Sequence, residues 1–334
     1  MRVRFVFAHP SMSFSVLTRA LCAIALATGA VAAAAQGFPA KPVHLVVHNN
    51  PGSALDVIAR QVAQRLSDAW KQPVVIDNRP GGGGIVGADQ VARAPADGYT
   101  LLAAGEGPIS ILPALGVALP YAPQRDLLPI AALAELEFVL VAHPRTGFKT
   151  LADLVEAARK SPGRYNYASA GNGSPQHFAA ELLKQKAGIH LTHIPYGGGP
   201  AGLAGVVAGD VDLMFIAIGV ARPQIQAGRL VALAVGGQAE HPLLPGVPTV
   251  ASRYKDFAAG TGLVLFAPAG TPAAVAERLA ADTGRVLADP GLHSVLAAQG
   301  ITVSAVTGPR LRRLLAADVE RYQGVVRTAG IRPD

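Results

Sequence analysis

The chain has 334 residues, 50% of them hydrophobic, with 29 Lys and Arg against 22 Asp and Glu and a formal charge of +7. That is too apolar for a disordered chain and enough for one large or two medium cores. The single cysteine excludes a disulfide framework and a zinc–thiolate site, and the mild basic excess, with no basic run interleaved with aromatics, points to no nucleic-acid partner.

Arg2, Arg4 and Arg19 precede an apolar, alanine-rich run over residues 20–35, which is too short for a membrane span and ends in Ala33-Ala34-Ala35. Basic residues, a short apolar run and a small-residue end make a secretory signal, so residues 1–35 are read as a signal peptide. The mature chain is then a periplasmic protein starting near Gln36, with Met12 as a second candidate initiator. Cys22 leaves with that segment, and loss of its three arginines lowers the formal charge to about +4, which suits a small anionic ligand.

A buried-type strand over residues 42–47 is followed by the polar turn His48-Asn49-Asn50-Pro51-Gly52-Ser53 and an amphipathic helix to about Trp70. Residues 73–77 form the next strand, Asn78-Arg79-Pro80 and four glycines turn into a helix over 85–93, and residues 98–104 make a third strand ending at Gly105-Glu106-Gly107-Pro108. Residues 121–129 read as a surface connection, and strands over 130–143 cross into a second lobe. Thr150 starts a helix that Pro162-Gly163 ends.

A short strand then ends near Ser169, and Gly171-Asn172-Gly173 turns the chain into Ser174, placed to N-cap, and Pro175, suited to the first helical position. Such a start leaves backbone N–H groups at the positive end of the helix dipole, where an anion fits. The pattern repeats: a strand over 189–196, then Gly197-Gly198-Gly199-Pro200 and a helix over 201–208. Strands over 211–216, 230–235 and 262–267, a short helix over 223–227, and helices over 273–287, 290–299 and 309–328 complete the chain. Strands alternating with helices give an α/β fold, and this length favours two lobes with a cleft between them.

Gly82-Gly83-Gly84-Ile85-Val86-Gly87 imitates a dinucleotide fingerprint, but Asn78-Arg79-Pro80 separates it from the strand end where its first glycine belongs. His190 and His193, three apart on one expected strand, point to opposite faces and cannot chelate together. No metal, cofactor or enzymatic chemistry is expected. His177 is either a ligand contact or a solvated cap, Asp56 a first-turn dipole partner, and Asp210 with Asp212 a solvent-facing pair at a lobe edge.

Several stretches together resemble the Bug-type substrate-binding receptors of tripartite tricarboxylate transporters. They are Val75-Ile-Asp-Asn-Arg-Pro-Gly-Gly-Gly-Gly84, Ala94-Pro-Ala-Asp-Gly-Tyr-Thr-Leu-Leu102, Asn166-Tyr-Ala-Ser-Ala-Gly-Asn-Gly-Ser174, His193-Ile-Pro-Tyr-Gly-Gly-Gly-Pro200, Gly209-Asp-Val-Asp-Leu-Met-Phe215 and Leu265-Phe-Ala-Pro-Ala-Gly-Thr-Pro272. The resemblance spans nearly the whole mature chain. It implies a two-lobed periplasmic-binding-protein fold of type II with two crossing segments, lobe 1 being residues 36–137 plus 256–334 and lobe 2 residues 138–255. It also implies a monomer that captures a small carboxylate and delivers it to membrane transporter subunits.

Carried onto this chain, the family's ligand loops are Pro51, Gly52 and Ser53, then Ala170, Gly171, Asn172, Gly173 and Ser174 with His177, and facing them Pro195, Tyr196 and Gly197. The chain departs from the family pattern at Glu106, where a Ser or Thr is expected. A carboxylate there repels an anion or pairs with a cationic group on one, which admits an amino acid or an aromatic mono-acid beside di- and tricarboxylates. The alternative readings are an exported α/β oxidoreductase binding a dinucleotide at Gly82–Gly87 and a ligand-sensing module without a transport role.

Overall fold

The β-branched runs that read as strands build one ten-stranded mixed sheet in a computed structural model that describes residues 37–329. The expected signal peptide lies outside the described residues. β1 (Val43–Val47) pairs in parallel with β2 (Val74–Asn78) and β3 (Thr100–Ala104), and β3 pairs antiparallel with β9 (Gly260–Pro268). Between β1 and β2, α1 (Ala54–Trp70) buries Leu55, Ile58, Val62 and Leu66 on one stripe, and Ser53 caps it by accepting from the Asp56 N–H. α2 (Ile85–Ala92) connects β2 to β3.

β4 (Leu127–Ala142) is one strand of 16 residues, starting earlier than the sequence suggests, and it joins the two halves of the sheet. Up to Glu137 it pairs with β9; from Phe138 it pairs with β7 (Leu213–Ala217) and β8 (Val231–Val235). The chain returns beside this crossing, where Gly236 N–H donates to the Phe138 carbonyl at 2.7 Å and Ala259 N–H to the Gly236 carbonyl at 3.0 Å. The second half adds α3 (Leu151–Lys160), β5 (Asn166–Ser169), α4 (Pro175–Ala187), β6 (Thr192–Pro195) and α5 (Gly199–Ala208). β5 lies between β6 and β7, parallel to both. α6 (Ile218–Gln226) follows β7, and α7 (Ala273–Leu287), α8 (Pro290–Ala297), β10 (Ile301–Val303) and α9 (Gly308–Ala329) close the first half. A continuous core passes from Ile58 and Leu279 through Leu133 and Phe138 to Leu154, Leu183 and Phe215. No helix among the described residues is long and apolar enough to cross a membrane.

Three expectations change. α6 starts at Ile218, with Pro223 inside it, because burial of Ile218 and Ala221 draws the first turn against the core directly after β7. β6 is confined to the four residues that pair with β5, which leaves His190 outside the strand. Asp212 does not face solvent: it is buried, accepts from the Asn166 N–H at 3.0 Å and pairs with Arg145 at 2.8 Å, whereas Asp210 is exposed.

Candidate ligand-binding site

The site is assembled from the ends of strands. α1 follows β1, a π-helical turn (Gly107–Ile111) follows β3, α4 follows β5, α5 follows β6 and α6 follows β7. A cavity of about 60 Å³ is lined by the starts of all of them: Ser53 and Ala54, Glu106 and Gly107, Pro175 and Gln176, Gly199 and Pro200, and Ala217. Neither α5 nor α6 has a side chain capping its first amides. Their free N–H groups and the aligned dipoles put a positive potential in the cavity, although no Lys or Arg lines it.

The first-half turn is held by Asp56. Its carboxylate accepts from Gly52 N–H at 2.9 Å, Arg60 at 2.9 Å and Asn78 at 2.8 Å. Burial opposes the charge, but these donors outweigh it and keep the carboxyl below its usual range. Asp56 is therefore a dipole partner and a brace for the turn. The neighbouring His48 is buried and accepts from Gly105 N–H at Nε2, 2.9 Å away, and burial pushes its pKa down to about 4. It faces the cavity as a neutral ring.

The second-half turn rests on a stack of rings. His177 lies parallel to His193 with centroids 4.2 Å apart, and His193 lies on Tyr167 at 4.9 Å. His193 Nε2 is 2.6 Å from Ser169 Oγ, which accepts from Gly171 N–H at 3.0 Å. Ser174 caps α4 by accepting from His177 N–H, as its position before Pro175 suggests. His177 is buried beneath the turn rather than solvated, and it does not line the cavity.

Glu106 reaches from the end of β3 to β9. Its Oε1 accepts from Gly262 N–H at 2.7 Å and its Oε2 from the Thr261 hydroxyl. Burial raises its pKa to about 7 against the lowering effect of those donors. Glu106 borders both the cavity and a wider groove of about 1160 Å³ running along β9 to α4 and α9.

A family model described as tripartite tricarboxylate transporter family receptor matches residues 58–331. The chain belongs to this receptor family. BugT of Bordetella pertussis is 34% identical over 324 residues, covering 94% of this chain and 98% of BugT. The structure of R. palustris Rpa4515 with adipate superposes with a TM-score of 0.85 at 30% identity, covering 89% of this chain and all of that one. MatC from Rhodopseudomonas palustris with bound malate gives 0.80 at 30% identity, covering 86% of this chain and 100% of MatC. The Bug-type resemblance and the two-lobed periplasmic-binding-protein fold are both established, and the tripartite tricarboxylate family comprises solute-binding receptors rather than enzymes.

Of the residues singled out in the receptor's sequence, Ser53, Glu106 and Ala170 line the cavity. Gly197 is tied to the turn before α1: its carbonyl accepts from Asn50 Nδ2 at 2.5 Å. Pro51 and Gly52 are exposed on the first turn, and Pro195 is exposed at the end of β6. Tyr196 packs its hydroxyl end against Gly205 of α5. Gly171, Asn172, Gly173 and Ser174 form the rim around Ala170, and the Asn172 carbonyl lies next to Gly83. The glycine run at 81–84 thus meets the opposite turn, in a 3-10 turn (Gly82–Gly84) rather than against a strand end.

Sequence reasoning did not single out Asn49, Gln176, Ala217 or Thr261, all of which line the cavity. Gln176 had a signal, since it stands at the second position of a capped helix. Among the described residues no cluster of three or more His, Cys, Asp or Glu could hold a metal.

Proposed function

We propose that this receptor closes residues 36–137 with 256–334 over residues 138–255 on a small organic acid, and delivers it from the periplasm, as a monomer, to the membrane subunits of a tripartite tricarboxylate-type transporter. The observation that carries this reading is the convergence of helix starts from both halves of the sheet on one cavity without a Lys or Arg. Carboxylate oxygens are good partners for such amides, and ordered water completes their hydrogen bonding. Adipate and malate in two structures of about the same fold and family support an acid as the ligand. Ser53, Ala170, Gly171 and the amides of Gly199 and Ala217 are the groups assigned to it.

The test is a melting experiment on the purified receptor with a panel of carboxylates of two to six carbons. A ligand that binds only the folded protein raises its melting temperature with concentration, by an amount fixed by its Kd. Saturable stabilisation by at least one acid is expected. No response to any acid, with stabilisation by a dinucleotide, would overturn the assignment.

A further inference from the structure

We propose that Glu106 and Asn49 make the cleft selective for a short monocarboxylate carrying its own hydrogen-bond donor, a hydroxyl or an ammonium; this rests on the reading of the cleft as an acid site. Helix starts and their N–H groups suit the carboxylate, whereas the Glu106 carboxylate and Asn49 Oδ1 present acceptors in the same lining. The Glu106 carboxyl is fixed by Thr261 and Gly262, with its own backbone N–H as a further donor, and the four lone-pair sites of a carboxylate leave one for a ligand. Asn49 Oδ1 is buried with no donor among the described residues.

A buried acceptor without a donor costs free energy that a ligand can recover only by bringing one. A second carboxylate at this end meets like charge and another acceptor, so it gains nothing there. Size narrows the class further. The cavity is small, about 60 Å³, which favours a short acid over a long one.

The experiment is calorimetric titration of the purified receptor at pH 8 with one carbon skeleton: propionate, lactate, 3-aminopropionate and malonate. At least one donor-bearing member is expected to bind roughly tenfold or more tighter than propionate and malonate, the range for a hydrogen bond to a charged group. The member favoured identifies the donor as hydroxyl or ammonium. Glu106→Gln, which keeps the shape, an oxygen to accept from Gly262 N–H and an amide that donates to the Thr261 hydroxyl, is expected to reduce that preference roughly tenfold and to improve malonate. Asn49→Ala, which leaves the Glu106 contacts alone, is expected to reduce it severalfold. Malonate or propionate binding as tightly as the donor-bearing acids, or a preference unchanged in both variants, overturns the inference while leaving the acid site standing. Failure of all four acids to bind overturns the inference, and the acid site still stands if another carboxylate of the melting panel binds.

Discussion

The side-chain amide of Asn50 donates to the carbonyl of Gly197 at 2.5 Å, so the turn before α1 touches the turn before α5 across the mouth of the cleft. Asn50→Ala removes a bond made only when the halves meet. A net hydrogen bond is worth about 0.5–1.5 kcal/mol, so ligand affinity is expected to fall about three- to tenfold, mainly through faster release, with little change in unliganded melting. Gly198→Ala strikes the same place harder: at φ +144 its new Cβ would lie 2.5 Å from Asn50 Nδ2. Stopped-flow dissociation separates this from a folding defect, and unchanged release in both variants would remove the latch from the model of closure.

The two titratable groups of the cavity pull stability in opposite directions with pH. His48 has its pKa lowered by burial from 6.5 to about 4, so its contribution is complete above pH 6.5 and is lost as pH falls towards 4. Glu106 has its pKa raised by burial from 4.5 to about 7, so its contribution is complete below pH 4.5 and is lost as pH rises through 7. Each amounts to ~3 kcal/mol, and between pH 4.5 and 6.5 they nearly cancel. Denaturant unfolding is therefore expected to show Glu106→Gln gaining stability as pH rises from 4.5 to 6.5, and His48→Gln losing it over the same interval. Profiles parallel to the parent protein would show that neither group is shifted in the folded state.

Much of this site was legible because helix starts carry local chemistry. Ser174 announces itself as a cap, and Pro175 and the glycines before α5 mark where amides become free, whereas Ser53 shows its cap only in the structure. The lobe crossing was legible as a long apolar run, though not its continuity as one strand, since strand length depends on partners far along the chain. What stayed hidden depends on long-range pairing. Nothing near Glu106 in sequence indicates Thr261 and Gly262, and only the packing of β3 against β9 brings them together. Likewise the pairing of β5 with β6 sets His193 beside Tyr167, His177 stacks on it from α4, and the buried Asp212 is explained by Asn166 and Arg145.

Gly171 has φ +113 and places its amide on Ser169 Oγ while its missing Cβ leaves the rim open towards the Tyr196 carbonyl. Gly171→Ala forces a side chain into a region costing about 1–3 kcal/mol, and the added methyl would lie 3.4 Å from the Tyr196 carbonyl, displacing the turn that carries the cavity-lining Ala170. Ligand-induced stabilisation is expected to disappear, with unliganded melting lower by a few degrees. Normal ligand response in a variant that melts lower would show that the turn at Gly171 plays no part in holding the acid.

Asp282 tests whether stability and binding can be separated. It is buried between α1 and α7, where it accepts from Trp70 Nε1 at 2.6 Å, from Arg278 at 2.6 Å and from Arg285. Removing it frees two arginines that are largely exposed and so cost little, but leaves the Trp70 N–H buried without an acceptor. That orphaned donor is expected to cost about 1–3 kcal/mol in Asp282→Ala. Asp282→Asn, which keeps an oxygen for Trp70 and loses the charge, is expected to cost about half as much, and Arg285→Ala less than about 1 kcal/mol. Because neither helix end lies at the cavity at this point, acid affinity is expected to be the same in all of them. Equal losses in the Asn and Ala variants, read by urea unfolding, would put the stabilisation in the ion pairs rather than in the indole hydrogen bond. Weakened acid binding would mean that the α1–α7 contact reaches the turn at Ser53 through α1 itself.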